Sequence, residues 1–274
     1  MLPQDHLGVD RADGRWVAVG YGETDRPGVA VYDDIAALWA DNAGAERVVV
    51  DVPVGLLDEA DDYAAGDDGT PVERRSRACD RLARDALPKR GSTVFPAPSR
   101  QAVRAALGEG ATRAATSEIN RRVTGAGLSA QAASLAPAVA AVDDLLTDGD
   151  GDSEVVVEGH PEVCFQAFAV DDVEHSKHTA VGVLERQVAF RGVDEYGHGD
   201  WTHLVRELDR QGENAGLDDL LDAMVLALTA AADAGERRRL PPGDDPPRDA
   251  RGLPMQTVYR RDTPFPVASG DGAE

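Results

Sequence analysis

Cysteine, lysine and aromatic residues are scarce in this sequence, and long apolar runs are missing from it. Its two cysteines, Cys79 and Cys164, lack metal-ligand spacing and cannot build a disulfide framework, so a reducing cytoplasm is the expected setting. No segment approaches the ~18–20 apolar residues of a membrane span, which argues against a membrane partner. The N-terminal MLPQDHLGVD has neither the basic nor the apolar region of a signal peptide. Lys89 and Lys177 are the only lysines among 28 Lys and Arg residues, set against 50 Asp and Glu for a formal charge of −22. An acidic, lysine-poor surface points to a salt-loving source, where screening over roughly 3 Å at 1 M suppresses self-repulsion. Acidity on this scale speaks against a nucleic-acid partner. Its distribution speaks for one. Between residues 73 and 122, twelve Arg or Lys accompany five acids, a local excess of +7, which leaves about −29 for the remainder. Such an island either grips phosphates or consists of solvated helix faces paired with acids elsewhere.

The 274 residues, 42% of them hydrophobic, suffice for one sizeable core or two small ones. Strands are expected at Leu7–Asp10, at Trp16–Tyr21 after an Asp13-Gly14 turn, and at Gly28–Tyr32. A capped helix over Asp33–Ala43 then leads to a buried-type strand, Arg47–Asp51. Residues 58–70 read as an acidic, Gly-rich loop. Helices follow over 73–88, 99–107, 116–123 and 129–146, then a strand at Glu154–Glu158. Pro161–Ala169 is a helix with proline at its first position, and further helices cover 177–191 and 217–233. The pattern implies an α/β fold, one domain over 1–234 with a helical insertion at about 72–150. Residues 235–274 read as a Pro- and Arg-rich, partly ordered extension with a possible strand at 256–260.

Three of these strands end in an acid: Asp10, Asp51 and Glu158. Ligands of α/β sheets bind beyond the carboxyl ends of strands, and converging carboxylates need a cation to remain ionised. The helix GLDDLLDAMVLALTA, 216–230, is apolar on nearly every side, which marks it as buried. Asp218 suits its N-cap, and Asp219 the first turn, where helix dipoles favour acids. Asp222 lies beyond that turn and needs a partner. Asp10, Asp51, Asp219 and Asp222 are therefore candidate catalytic metal ligands, with Glu158 as a further one. An all-oxygen set suits Mg²⁺ or Mn²⁺, and such ions stabilise both the attacking and the leaving oxygen of a phosphoryl displacement.

GVDRADGRWVAV, VVVDVPVGL, RACDRLAR, STVFPAP, EGHPE, SKHTA and DDLLDAMVLALTA follow one another in an order that closely resembles the family labelled domain of unknown function 429, from about residue 7 to 233. The resemblance implies a ribonuclease H-like mixed sheet flanked by helices, and nuclease activity. The last helix is also similar to that of Holliday-junction resolvases, which implies metal ligation by Asp10, Asp51, Asp219 and Asp222. Position 51 holds Asp where resolvases generally use Glu.

On the substrate side, Arg74, Arg75, Arg77, Arg100, His160 and Lys177 are candidates for contacting phosphate. His160 also suits a packing role, and Lys177 with His178 a solvated pair. The leading expectation is a metal-dependent nuclease acting on DNA or RNA. An ATP-dependent kinase or ATPase of the same superfamily needs a hydroxyl-bearing, Gly-rich hairpin after Asp10, where this chain has RADGRW. A non-catalytic nucleic-acid-binding protein is the third reading. Oligomeric state is not legible.

Overall fold

Asp13 at φ 46° and Gly14 at φ 90° turn the chain back on itself in a two-residue hairpin, the geometry for which Asp-Gly is favoured. The hairpin joins β1 (His6–Ala12) to β2 (Arg15–Tyr21) in the computed structural model, which describes residues 2, 5–22, 26–58, 75–213 and 215–267. Most of the loop expected at 58–70, and Arg74 with it, lies outside the described residues.

The chain continues through β3 (Gly28–Tyr32), α1 (Ile35–Asp41) and β4 (Arg47–Val50). Five helices then intervene: α2 (Ala78–Asp85), α3 (Arg100–Ala106), α4 (Arg113–Thr124), α5 (Ala130–Ser134) and α6 (Ala136–Thr147). After β5 (Val156–Glu158) come α7 (Pro161–Phe168), α8 (Ala180–Phe190), α9 (Asp200–Gln211) and α10 (Leu217–Ala230). β6 (Arg237–Leu240) and β7 (Thr257–Arg260) pair as an antiparallel ribbon.

The main sheet has the order β3-β2-β1-β4-β5. Its first three strands are antiparallel, while β4 and β5 run parallel to β1. Strand alternation sends Val17, Val19, Val49 and Val157 to one face, where α7 and α10 pack. Leu7, Val9, Val48, Val50 and Val156 go to the other face, against α1 and α6. At about 1.5–3 kcal/mol for each fully buried aliphatic side chain, these two layers dominate the favourable side of folding. Eleven consecutive residues of α10, Leu220 to Ala230, are buried. This accounts for its all-round apolar character: it lies between the sheet and α7.

Several elements differ from expectation. The helix expected at 129–146 is split at Leu135, because Pro137 lacks an N–H and its ring crowds the preceding turn, so α6 restarts around it. The helix expected at 177–191 begins only after Thr179, whose hydroxyl accepts from the Gly182 N–H. α9 and β6 add to the sequence reading, the strand being masked there by three successive arginines. The segment after 234 packs against the rest of the chain. Tyr259 is 1% exposed and belongs to the core around α10, Val258 bridges Gly159, and Leu253 packs in the opposite core layer. Among the described residues, no helix is long and apolar enough to cross a membrane.

Candidate functional site

Parallel register sets Val9 beside Val50, and the Asp51 N–H donates to the Val9 carbonyl at 2.9 Å. One residue further along each chain, Asp10 and Asp51 are neighbours on the α10 face. Asp10 is not a strand end as expected, because β1 continues to Ala12 within the hairpin. Gly8 determines how closely the helix approaches. A Cβ there would lie 2.0 Å from the Ala227 nitrogen and 2.1 Å from the Ala223 carbonyl oxygen, so α10 crosses β1 in backbone contact that only glycine permits. Arg47, at the start of β4, donates to the carbonyl of Ala230 at the end of α10 (3.2 Å). The helix therefore runs against β1 and brings its N-terminal half, with Asp222, over Asp10 and Asp51.

The three carboxyls perturb one another. Burial holds Asp10 well above the ordinary carboxylate range, reinforced by Asp222 and Asp51. Asp51 is pushed up to about 8 by burial and by Asp222, and a hydrogen bond links its carboxyl to that of Asp10. Asp222 rises to about 6 through burial, opposed by Lys177, with which it forms an ion pair. Burial works against the charge on Lys177, but Asp222, Asp10 and Asp218 outweigh it and hold the ammonium above its ordinary range. A cavity of about 360 Å³ opens here, lined among others by Asp51, Asp222, Lys177, His160, Glu158 and Arg90. Asp10 and Asp222 are buried and Asp51 is half-buried, and all three act on the Lys177 ammonium or are acted on by it. Their carboxyl oxygens are the donor type that a hard divalent ion takes, although the three do not all place ligand atoms within 4.8 Å of one another.

The structure does not bring Asp219 into this group. Gly216, rather than Asp218, is the N-cap of α10, and the Asp219 carboxylate accepts from the Gly216 N–H at 2.8 Å. Asp218 instead faces Lys177 at 3.7 Å and His178 at 3.5 Å. Glu158 shares its register position with Val50 and so leaves the sheet on the face opposite Asp10 and Asp51. It accepts from the Val54 N–H (2.8 Å), from the Thr257 hydroxyl (3.2 Å), and from Arg77 at 2.6 and 2.8 Å.

Arg77, which lines the cavity, and Arg100 are both engaged by acids within the fold. Both are buried. Arg77 donates to Asp80 and Glu158 and to the carbonyls of Val54 and Gly55. Cys79, Asp80 and Glu158 place ligand atoms within 4.8 Å of one another. The guanidinium of Arg77 already supplies the cation that such a cluster requires. Arg100 is surrounded by Asp58, Asp143 and Asp249. Arg75 is half-buried, its N–H bonded to the Thr124 carbonyl. Other members of the basic island pair with acids as well: Arg90 with Glu162, Arg104 with Asp143 and Asp144, Arg121 and Arg122 with Glu118, and Lys89 with Glu174. The island is largely neutralised within the fold.

His160 starts α7 and lines the cavity, its Nδ1 buried without a partner and its pKa lowered by burial. Arg186 escaped the sequence reading. It is fully buried, donates to both Glu162 oxygens (2.6 and 2.7 Å) and to the carbonyls of His175 and Gly182, and lies over the Phe165 ring. It thereby ties α7 to the segment that carries Lys177. Glu162 looked like an ordinary N-terminal helix acid, so no local signal identified its partner.

No curated protein and no solved structure matches the chain. A family model matches residues 8–246, a span that takes in Asp10, Asp51, Lys177 and Asp222 and runs into the segment after 234. The chain accordingly belongs to the family described as protein of unknown function (DUF429).

Proposed function

We propose that the protein is a divalent-metal-dependent nuclease that hydrolyses phosphodiester bonds of DNA or RNA. The observation that carries this reading is the convergence of Asp10, Asp51 and Asp222, with Lys177 paired to Asp222. The strand order, with an antiparallel hairpin pair followed by two strands parallel to the first, supports a ribonuclease H-like fold. Asp10, Asp51 and Asp222 would hold Mg²⁺ or Mn²⁺, and Asp219 serves as a helix cap. When bound, the ion polarises phosphoryl oxygen and lowers the pKa of bound water. Lys177 orients Asp222 and supplies positive charge at the cavity wall. His160 presents an unpartnered ring nitrogen beside it. The acidic, lysine-poor composition supports a salt-rich cytoplasm as the working environment.

The kinase reading has less support. The Asp13-Gly14 hairpin is a tight two-residue turn without a hydroxyl, which leaves no phosphate-cradling loop after Asp10. The test is cleavage of labelled single- and double-stranded DNA and RNA with Mn²⁺, Mg²⁺ or EDTA at high salt, using wild type and Asp51→Asn. Metal-dependent cleavage that is lost in the variant is expected. ATP turnover without nucleic-acid cleavage would favour the kinase class, and oligonucleotide binding without turnover the non-catalytic one.

A further inference from the structure

On a chain of formal charge −22, β6 reads Arg237-Arg238-Arg239-Leu240. All three arginines are half-buried, and none forms an ion pair with a carboxylate of the described residues. Their contacts are to carbonyls. Arg238 donates to Arg237 and Asp262 (3.1 and 2.6 Å), and Arg239 to Asp244 (3.3 Å). Carbonyls hold guanidiniums in place without cancelling their charge. The Nε atoms of Arg237 and Arg238 are buried without partners. Arg260, across the ribbon, shows the opposite arrangement, since Glu195 and Glu236 neutralise it. Seven of the twelve basic residues at 73–122 are neutralised in the same way, whereas β6 carries three successive guanidiniums with no carboxylate partner among the described residues.

A depression of about 530 Å³ lies over these arginines, walled by Tyr259 and the Pro242–Asp244 turn, with Asp244 its one lining acid. β7 connects it to the carboxylate cavity. Tyr259 lines the depression and Thr257 lines the cavity. Two residues of strand separate them, about 7 Å. Arg237 and Arg239 have the same spacing along β6.

We propose that Arg237, Arg238 and Arg239 form a phosphate-binding site for the phosphodiester backbone of the nucleic acid whose cleavage is assigned to the carboxylate cavity, a proposal that rests on the nuclease reading for its ligand. Arginine suits this role because its planar fork binds phosphate oxygens in a bidentate way that lysine cannot match.

Fluorescence anisotropy of a labelled 20-nucleotide single strand, with EDTA present to prevent cleavage, tests the site. Arg237→Gln/Arg239→Gln is expected to bind at least tenfold more weakly at low salt. The slope of log affinity against log salt should flatten by about 1.4, at about 0.7 per lost single-strand contact. Arg237→Lys/Arg239→Lys keeps the charge and should retain the slope, which provides a readout if the Gln variant does not fold. A folded Gln variant with unchanged affinity and slope, or a lysine variant that loses the slope, overturns the proposal. Inorganic pyrophosphate that stabilises wild type but not the Gln variant, while the oligonucleotide does not bind, assigns the depression to free oligophosphate and also overturns it. Arginine-dependent binding by a wild type that never cleaves with Mn²⁺ leaves this site standing and removes the nuclease reading. Metal-dependent cleavage with binding insensitive to the arginines does the reverse.

Discussion

Arg77 and Arg100 each stand among two or three carboxylates and pair with all of them, whereas of Asp10, Asp51 and Asp222 only Asp222 has an ion pair among the described residues, with Lys177. Both kinds of cluster are acidic and enclosed, and both drew attention in the sequence. They differ in charge balance. Around Arg77 the bidentate guanidinium, the Val54 and Ala97 N–H groups and the Thr257 hydroxyl satisfy Asp80 and Glu158 from several sides. Around Asp10 the deficit remains, and protonation or a cation must make it good. Buried acids that already have a cation are structural, and those that lack one mark the site.

The largest expected effect comes from breaking a balanced cluster. Arg77→Ala leaves Asp80 and Glu158 buried without a counter-charge, and removal of one partner from such a group costs about 3–5 kcal/mol. Urea unfolding should register this with or without divalent ions. A loss below about 1 kcal/mol would erase the distinction between the two clusters.

Asp51→Asn addresses the unbalanced cluster and should behave oppositely. In EDTA at pH 8 the variant is expected to be as stable as wild type or more so, since it removes repulsion from Asp222. With the ion at 100 times its dissociation constant, wild type should gain about 2.7 kcal/mol that the variant lacks. Thermal melts in EDTA and in Mn²⁺ at fixed salt measure both. An equal response of the two proteins to Mn²⁺ would take Asp51 out of the site.

A smaller effect follows from the raised carboxyls. Asp51 titrates near 8 in the fold and near 3.9 in the unfolded chain, so between these values the native state binds more protons than the unfolded one. Stability then falls as pH rises through that window. The contribution is complete below the unfolded value and gone above the folded one. Metal-free melts from pH 5 to 9 should show this decline, and Asp51→Asn or saturating Mn²⁺ should flatten it. A stability that rises over this range would contradict the charge deficit.

The smallest effect belongs to the exposed pairs of the basic island. Glu118 meets Arg121 and Arg122 at the surface, and Glu118→Gln should change stability by no more than about 0.5 kcal/mol. A larger change would mean that surface and buried pairs of this protein are not distinguished by enclosure.

The first three strands, the Asp-Gly hairpin, β4, β5 and the helix at 217–230 were legible because each carries a local signal: β-branched alternation, a turn dipeptide, or an apolar run without polar relief. Asp222 was legible for the same reason, as a charge where the pattern had no place for one. Asp219 was not separable from it, since two acids three apart share a helix face, and whether one turns back to the Gly216 N–H is decided by the first turn itself. The choice between the two readings of the basic island was not legible for a related reason. Composition counts their charge but does not see Asp143, Asp249 or Glu158, which lie 43, 149 and 81 residues from the arginines they meet.

What the sequence determined by itself, then, is periodicity, turn chemistry and the placing of acids at the C-terminal level of the central strands, all of which depend on neighbours within a few positions. The tertiary structure decided which charges cancel. Gly8 lets α10 reach β1 and sets Asp222 over Asp10 and Asp51, and segments far apart in the chain bring Arg77 and Arg100 to their acids while leaving Arg237 to Arg239 without any among the described residues. Coulomb energy and desolvation depend on distance and enclosure in space, and a linear order of residues carries neither.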